Sequence, residues 1–269
     1  MNTDMTEHRY TWKDCAARTK KLANALLAAG VKKGDRIATI AWNNYRHIEI
    51  YYAVSSIGAI VHTINPRLDP QQVIWMIGHA EDTMVLFDTT FAPIIEGVSA
   101  HCPTVKKWIS LCDHGSMPDY KTDVECYESF IADASDEIEW PRFDENTACT
   151  LCYTSGTTGN PKGVLYSHRS TLLHAMMSAT PDVMNFSAQD CLLPVVPMFH
   201  VNAWGTPYAA PLVGAKMVMP GPGLDGKSLV DFPEVNIIFC KARFRQHFLR
   251  RRNRRVEHKR RAIAHICRG

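Results

Sequence analysis

The sequence predicts an α/β fold in which a mainly parallel sheet is covered by helices on both faces. Three observations support this prediction. Short apolar runs that read as strands alternate with segments of helical spacing along most of the chain. Capping and turn residues mark the boundaries of these segments. The composition, 46% hydrophobic over 269 residues, is enough to bury the core of one large domain or two ordinary ones.

The first helix is predicted to begin at Thr11, because Asp14 three residues later gives a capping-box-like start. Apolar residues recur at helical spacing from there to Gly30, which is a candidate C-cap. A turn at Gly34-Asp35 then leads into a buried strand over residues 36–42.

The same alternation continues along the chain and fits one large doubly wound domain over residues 10–230, incomplete at its far end. Strands are predicted at 59–64, 84–87, 107–111, 148–153, 164–166, 191–195 and 215–219, and residues 235–239 could form one more. Helices are predicted at 47–57, 70–80, 127–132, 167–179 and 201–212, the last interrupted at Gly205 and Pro207, with a short helix start near 226–230. The rest of the polar stretch 103–141 is predicted to be surface loop.

The charge changes abruptly near the C-terminus. Residues 1–240 carry a net charge of −8, whereas residues 241–269 carry +11. The nine cysteines are odd in number and scattered, which favours core thiols in a reducing compartment over a disulfide framework. Because no signal-like start and no run of 18 apolar residues is present, we expect a cytoplasmic protein without a transmembrane segment.

The histidines and cysteines do not form a metal-binding pattern. His47, His62 and His79 are too widely spaced, and we expect them to be surface or partly buried side chains. Cys149 and Cys152 form a lone pair on a predicted strand, with no second pair to complete a zinc site, so we expect them to pack in the core.

The stretch that joins the strands at 148–153 and 164–166 is the most specific feature of the chain. It reads Thr154-Ser155-Gly156-Thr157-Thr158-Gly159-Asn160-Pro161-Lys162-Gly163. Its glycines let the backbone turn with N–H groups facing inward, as an anion-binding nest requires. The four hydroxyls and Lys162 can donate to phosphate oxygens. A polar surface hairpin is the alternative, and a P-loop is excluded because Gly163 rather than Ser or Thr follows Lys162.

This stretch, with Tyr153 before it and Val164 after it, resembles the phosphate loop of the adenylate-forming superfamily. Two further blocks, residues 58–68 and 195–205, are similar to the fatty-acyl-CoA synthetase branch, and the likeness runs from about Tyr10 to about Val230. The resemblance implies the large N-terminal domain of the adenylate-forming fold, as an N-terminal fragment without the small C-terminal domain.

The resemblance also implies a two-step reaction. A medium- or long-chain fatty carboxylate attacks the α-phosphorus of ATP, and the thiol of coenzyme A then attacks the acyl-adenylate. Residues 154–159 and Lys162 would hold the β- and γ-phosphates, and the hydroxyl of Thr154 would also contact Mg²⁺. The resemblance implies that the intact enzyme uses ATP, Mg²⁺ and CoA as cofactors or substrates. It is also compatible with a homodimer of the intact enzyme.

The block Pro197-Met198-Phe199-His200-Val201-Asn202-Ala203-Trp204 supplies the acyl side of the implied site. His200 would be the catalytic residue that borders the acyl and adenylate sites, with a packing histidine as the alternative. Trp204 lies four residues on, one turn along the same face of a helix, and would gate a fatty-acyl tunnel, with core aromatic packing as the alternative. Val201 would lie beside the nucleotide.

Several family motifs are missing after Val230, namely the Y-G-x-T-E-like segment, a ribose-binding acidic residue, the hinge and the C-terminal catalytic lysine. We therefore expect a truncated, inactive ligase, with a non-catalytic nucleotide- or acyl-binding module as the alternative. The divergent basic segment 231–269 has two explanations, a shifted reading frame that leaves it disordered or an arm for nucleic acid or an anionic surface. The abrupt charge change favours the first, so nucleic acid is not expected as a partner.

Overall fold

A seven-stranded sheet is the centre of the first of two compact units, Arg9–Ser170. Its strands are β1 (Arg36–Ile40), β2 (Ile60–Thr63), β3 (Met84–Phe87), β4 (Lys107–Ser110), β5 (Val124–Cys126), β6 (Ala148–Thr154) and β7 (Lys162–Ser167). Their order is β5-β4-β3-β1-β2-β6-β7, and every neighbouring pair is parallel except β6 and β7. The fold is thus a mainly parallel α/β sheet, as the apolar runs predicted.

The computed structural model describes residues 7–154, 160–223 and 237–239, the last three by their backbone. Most of the basic segment 231–269 and the predicted helix start near 226–230 therefore lie outside the described residues. The expected single domain over 10–230 stays a prediction.

Five helices flank the sheet of the first unit: α1 (Trp12–Ala28), α2 (Tyr45–Ser56), α3 (Pro70–Ala80), α4 (Ala92–Val98) and α5 (Tyr127–Ala132). The capping box of α1 is confirmed, since the Thr11 hydroxyl accepts from the Asp14 N–H and the Asp14 carboxylate accepts from the Thr11 N–H. Gly30 lies one residue beyond the C-cap of α1, in the left-handed region at φ 86°. Asp69 caps α3, and Pro70 is its first residue.

An ionic network ties α1, α2 and α5 together. The Arg18 guanidinium binds both carboxylate oxygens of Glu128 at 2.9 and 3.0 Å, and its Nε donates to Glu49 at 2.8 Å. Arg46 donates to the same Glu128 at 2.9 Å, and the Tyr127 hydroxyl donates to Glu49 at 2.7 Å. Because Glu49 is completely buried, these bonds compensate the cost of removing its charge from water.

The second unit contains the described residues from Thr171 onward, together with residues 7–8. Helix α6 (His168–Ala179) leads into it, and its three-stranded parallel sheet has the order β10-β8-β9. The remaining elements are β8 (Cys191–Pro194), a short helical segment α7 (Val201–Trp204), α8 (Thr206–Val213), β9 (Lys216–Met217) and β10 (Ile237–Phe239). The prediction that residues 235–239 could form a further strand is thus confirmed over its last three residues.

The structure corrects two predictions made from the sequence. Strand β5 lies within the stretch expected to be surface loop, where its three residues pair with β4. His47 and His62 are completely buried, because both lie on elements packed inside the first unit.

The seven cysteines among the described residues are all buried, in agreement with core thiols. Among the described residues no helix is both long and apolar enough to cross a bilayer.

Candidate functional site

The predicted phosphate loop connects two paired strands. Thr154, the last residue of β6, lies opposite Lys162, the first residue of β7, in the antiparallel register. Opposite residues of such a pair point to the same face of the sheet, so the Thr154 hydroxyl and the Lys162 ammonium share one face at the mouth of the loop. Both are exposed, and the Thr154 hydroxyl donates to the Lys162 carbonyl at 3.4 Å. The structure thus brings these two predicted site residues together.

The other predicted loop residues, Ser155, Gly156, Thr157, Thr158 and Gly159, lie outside the described residues. Their contribution to phosphate binding stays a prediction from the sequence. The two described ends fit a nucleotide triphosphate, since an ammonium and a hydroxyl on one face are suitable donors for phosphate oxygens. For Mg²⁺ the described residues offer Thr154 as a single oxygen ligand, and they contain no group of three acidic, histidine or cysteine side chains that could hold a metal.

The opposite face of the same hairpin is occupied by Tyr153. Side chains alternate along a strand, so Tyr153 points away from the face that Thr154 and Lys162 share. Its hydroxyl lies 2.7 Å from Nδ1 of His79 in the last turn of α3, and its ring contacts Trp75 edge-on. Burial raises the pKa of Tyr153 to about 12, so at neutral pH the hydroxyl is protonated and forms a hydrogen bond with His79 whose direction depends on the tautomer of the imidazole.

A buried histidine–carboxylate pair lies beside the Tyr153 ring. Nδ1 of His62 is 2.7 Å from Oδ2 of Asp82, and both side chains are completely inaccessible to solvent. The ring centroids of His62 and Tyr153 are 5.1 Å apart. Nε2 of His62 and Oδ1 of Asp82 are buried without a hydrogen-bond partner, which is unusual for polar atoms inside a protein. Burial raises the pKa of Asp82, and the contact with His62 opposes that rise.

The predicted acyl-side residues lie in the second unit, on a left-handed turn after β8. Val201, Asn202, Ala203 and Trp204 have φ angles of 48°, 52°, 47° and 56°, and Gly205 continues at 75°. A right-handed helix over 201–204, with His200 and Trp204 on one face of it, was therefore a wrong prediction. Four consecutive non-glycine residues in this region are strained, at about 1–2 kcal/mol each. Such strain is often found where a site needs a particular backbone path.

The left-handed turn distributes its side chains between solvent and core. His200 is exposed, and Val201 keeps 41% of its surface exposed. Asn202 and Ala203 are buried, whereas Trp204 is half-buried. An exposed histidine beside an exposed apolar residue fits a wall that contacts a small molecule.

A histidine on α6 approaches the end of this turn. A Cβ added to Gly205 would lie 2.5 Å from Nδ1 of His174, closer than side-chain atoms approach one another. Gly205 is therefore required both by its positive φ and by the position of the His174 ring. His174, His79 and Tyr153 are not predicted site residues, because only the folded chain brings them to these positions.

The architecture of the first unit and the position of the loop define the class of protein. A phosphate-loop motif between the last two strands of a mainly parallel sheet is the arrangement of the N-terminal domain of adenylate-forming enzymes. The anthranilate CoA ligase AuaEII, solved in complex with anthranoyl-AMP, superposes with a TM-score of 0.75 at 19% identity. The match covers 88% of this chain and 45% of that one, and it supports the fold alone.

Sequence comparison then gives the family. The model of the family described as AMP-binding enzyme matches residues 2–263, so this chain belongs to that family. The match extends past Val230, where the likeness of individual motifs was expected to stop. The N-terminal domain of FACL13 from Mycobacterium tuberculosis, solved with an inhibitor, has a TM-score of 0.72 at 26% identity and covers 84% of this chain and 54% of that one.

Curated relatives narrow the similarity to acyl-CoA ligases. The medium-chain-fatty-acid–CoA ligase of Ectopseudomonas oleovorans is 56% identical over 222 residues, which are 82% of this chain and 41% of the relative. The long-chain-fatty-acid–CoA ligase of Thermus thermophilus is 44% identical over 224 residues, 83% of this chain and 40% of the relative. A 3-methylmercaptopropionyl-CoA ligase of Ruegeria pomeroyi is 50% identical over 220 residues, 81% of this chain and 41% of the relative. The chain thus spans less than half the length of the curated relatives it matches.

Proposed function

We propose that this chain provides the triphosphate-binding loop and the acyl-side wall of an AMP-forming fatty acid–CoA ligase. The observation that carries the proposal is the pairing of Thr154 with Lys162 across the mouth of the loop. A cation and a hydroxyl on one face would hold the β- and γ-phosphates of ATP, and the loop residues 155–159 between them would add backbone N–H donors. Thr154 would be a ligand of the Mg²⁺ ion, which would supply positive charge to the phosphates.

The residues of this chain would act by alignment and charge neutralisation. ATP supplies an electrophilic α-phosphorus, and Lys162 would disperse the negative charge that develops on the departing pyrophosphate. His200 would donate to the carboxylate of a fatty acid, and Trp204 would line the acyl path, with Val201 beside the nucleotide. The fatty acyl class and the use of CoA are proposed by similarity to the medium- and long-chain ligases.

Binding of ATP is the first test of the proposal. Isothermal titration of the full chain with Mg²⁺-ATP should give saturable binding, and Lys162→Ala should weaken it about tenfold or more, since a charge-assisted contact to phosphate is worth about 1.5–3 kcal/mol. The matched control is Lys13→Ala, which removes an exposed lysine of α1 and should leave the affinity unchanged. Equal affinities for the two variants would contradict the proposed site.

Fatty-acid-dependent exchange of pyrophosphate into ATP separates two candidate functions, an AMP-forming ligase and a non-catalytic nucleotide-binding module. Exchange stimulated by a medium- or long-chain acid would show that the chain forms an acyl-adenylate. Binding without exchange would instead support a non-catalytic nucleotide-binding module.

A further inference from the structure

A contact on the back of the loop has no assigned role. The Tyr153 hydroxyl lies 2.7 Å from Nδ1 of His79, and the His79 ring stacks on Trp75 at a centroid distance of 4.5 Å. Trp75 and His79 are on successive turns of α3, whereas Tyr153 is on the strand that enters the phosphate loop. The contact therefore joins the stem of the loop to a helix of the same compact unit.

Gly163 makes room for this contact. It lies opposite Tyr153 in the antiparallel register. A Cβ at Gly163 would lie 3.1 Å from Cδ1 of Leu151, which is tight, and 3.4 Å from Cζ of Tyr153, at the limit of ordinary contact. The glycine that follows Lys162 thus has a packing reason, because a side chain there would crowd Leu151 and lie directly against the tyrosine ring.

The pair formed by His62 and Asp82 supports the ring from inside the unit. The His62 ring is 5.1 Å from the Tyr153 ring, and Asp82 holds His62 through Nδ1 at 2.7 Å. Both side chains are completely buried, so this support is part of the packed interior. The Tyr153 ring is consequently held by His62 within the unit and by Trp75 and His79 of α3.

Fixing Tyr153 also fixes the residue that follows it. The side chains of Tyr153 and Thr154 point to opposite faces of β6, so a rotation that released the tyrosine would turn the Thr154 hydroxyl away from the face it shares with Lys162. We propose that the hydrogen bond between Tyr153 and His79, with Gly163 opposite the tyrosine, is a latch that positions the stem of the phosphate loop for nucleotide binding. This inference rests on the proposed function, and Tyr153, His79 and Gly163 are positioning residues that need not touch the nucleotide.

The test uses the full chain and two independent readouts. Tyr153→Phe keeps the ring and removes only the hydroxyl, and His79→Ala removes the hydrogen-bond partner of that hydroxyl. Since a net hydrogen bond contributes about 0.5–1.5 kcal/mol, each variant should lose about two- to tenfold in affinity for Mg²⁺-ATP. Amide hydrogen exchange at the stem residues Thr154 and Lys162 should accelerate by a similar factor, and the melting temperature should fall little because His79 is exposed.

The controls separate positioning from general destabilisation. His79→Asn places an amide near the position of Nδ1 and should restore affinity, whereas the double variant Tyr153→Phe/His79→Ala should be no weaker than either single variant. His114→Ala removes another exposed histidine whose Nδ1 contacts a hydroxyl, that of Ser129 at 2.9 Å, and should change neither readout.

Three outcomes are informative. Wild-type affinity and stem exchange in Tyr153→Phe would overturn the latch and leave the proposed function intact. Loss of affinity in proportion to a general loss of stability, without rescue by His79→Asn, would also overturn it. If the wild-type chain did not bind Mg²⁺-ATP at all, the proposed function and the nucleotide role of the latch would both fall, whatever the exchange data showed.

Discussion

Asn44 and Asp88 are joined by two hydrogen bonds from the Asn44 amide nitrogen to the carboxylate, at 2.9 and 3.0 Å. The amide oxygen of the same Asn44 caps α2 by accepting from the N–H of His47 at 2.9 Å. Trp42 connects Asp88 with His47, because its N–H donates to Asp88 and its carbonyl lies 3.0 Å from Nδ1 of His47. A buried acid and a buried base therefore share one set of backbone and amide partners at the carboxyl end of β1.

These two groups give the protein opposing responses to pH. Burial raises the pKa of Asp88 to about 7 and lowers the pKa of His47 to about 4. The stability contributed by Asp88 is present at low pH and is lost as the pH rises toward 7. The contribution of His47 is present above its unfolded pKa of about 6.5 and is lost as the pH falls toward 4. Between pH 4 and 6.5 the two effects oppose one another.

We expect Asp88→Asn to remove the response of Asp88 to pH and leave that of His47. Relative to wild type, the free energy of unfolding of the variant should rise with pH between about 4 and 7, with a slope approaching 1.4 kcal/mol per pH unit. His47→Gln should show the reverse relative to wild type, a fall with rising pH between about 4 and 6.5. Urea unfolding at a series of pH values measures both, and variants with the wild-type slope would contradict the assignment.

The pattern of apolar runs predicted most of the fold because each run is long enough to carry a clear period. The bounds of α3 and β3, for example, agree with the predicted ranges 70–80 and 84–87. Strand β5 has only three residues, Val124-Glu125-Cys126, and its pairing with β4 depends on a neighbour that local sequence does not reveal. Length and local pattern were sufficient for the first two elements and insufficient for the third.

The site was predicted in part for a similar reason. Thr154 and Lys162 belong to one contiguous motif, and the antiparallel pairing of its flanks places them together. His62 and Asp82 are 20 residues apart, and His79 and Tyr153 are 74 apart, so only the sheet order and the packing of α3 bring them together. The left-handed turn at 201–204 contains no glycine, and Asn202 is the single residue in it whose type favours a positive φ.

The ionic network around Glu128 should be important for stability. Glu128→Ala removes three charge-assisted hydrogen bonds and leaves Arg18 and Arg46 partly unpaired in a partly buried setting, so a loss of about 3 kcal/mol in the free energy of unfolding is expected. Glu145→Ala is the control, because the pair of Glu145 and Arg169 is more than half exposed and should contribute less than about 1 kcal/mol. Equal losses in the two variants, measured by urea unfolding, would contradict this view.

The contact of His174 with Gly205 can be separated from the cost of a positive φ. Gly205 and Gly214 have similar φ angles, 75° and 73°, but a Cβ at Gly214 would meet Ala188 at an ordinary 3.7 Å. Gly205→Ala should therefore destabilise the protein more than Gly214→Ala, by about 1–3 kcal/mol, the usual cost of overpacking.

A double-mutant cycle with His174→Ala provides the check. If the ring causes the difference, His174→Ala should remove most of the extra cost of Gly205→Ala and change the cost of Gly214→Ala very little. An additive result at Gly205 would show that backbone strain, rather than the ring, accounts for the requirement for glycine.

The left-handed turn gives the last prediction, which concerns stored strain. Val201 is a β-branched residue at φ 48° with 41% of its surface exposed, so Val201→Gly should release about 1–2 kcal/mol of strain and lose little burial. Glycine also increases the entropy of the unfolded chain, which lowers the free energy of unfolding by about 0.5–1 kcal/mol and cancels part of that gain. Val213→Gly, at the end of the right-handed helix α8, has the same unfolded-state cost without any release of strain.

Val201→Gly should therefore be at least about 1 kcal/mol more stable than Val213→Gly in thermal or urea unfolding. The strained backbone of the turn could serve to present Val201 and Trp204 to a ligand. In that case Val201→Gly should bind a fatty acid more weakly although it is no less stable, because the turn can then relax toward other conformations. Fatty acid binding that is unchanged in a stabilised Val201→Gly would mean that the strain has no part in recognition. A Val201→Gly protein as unstable as Val213→Gly would mean that the turn stores no strain at Val201.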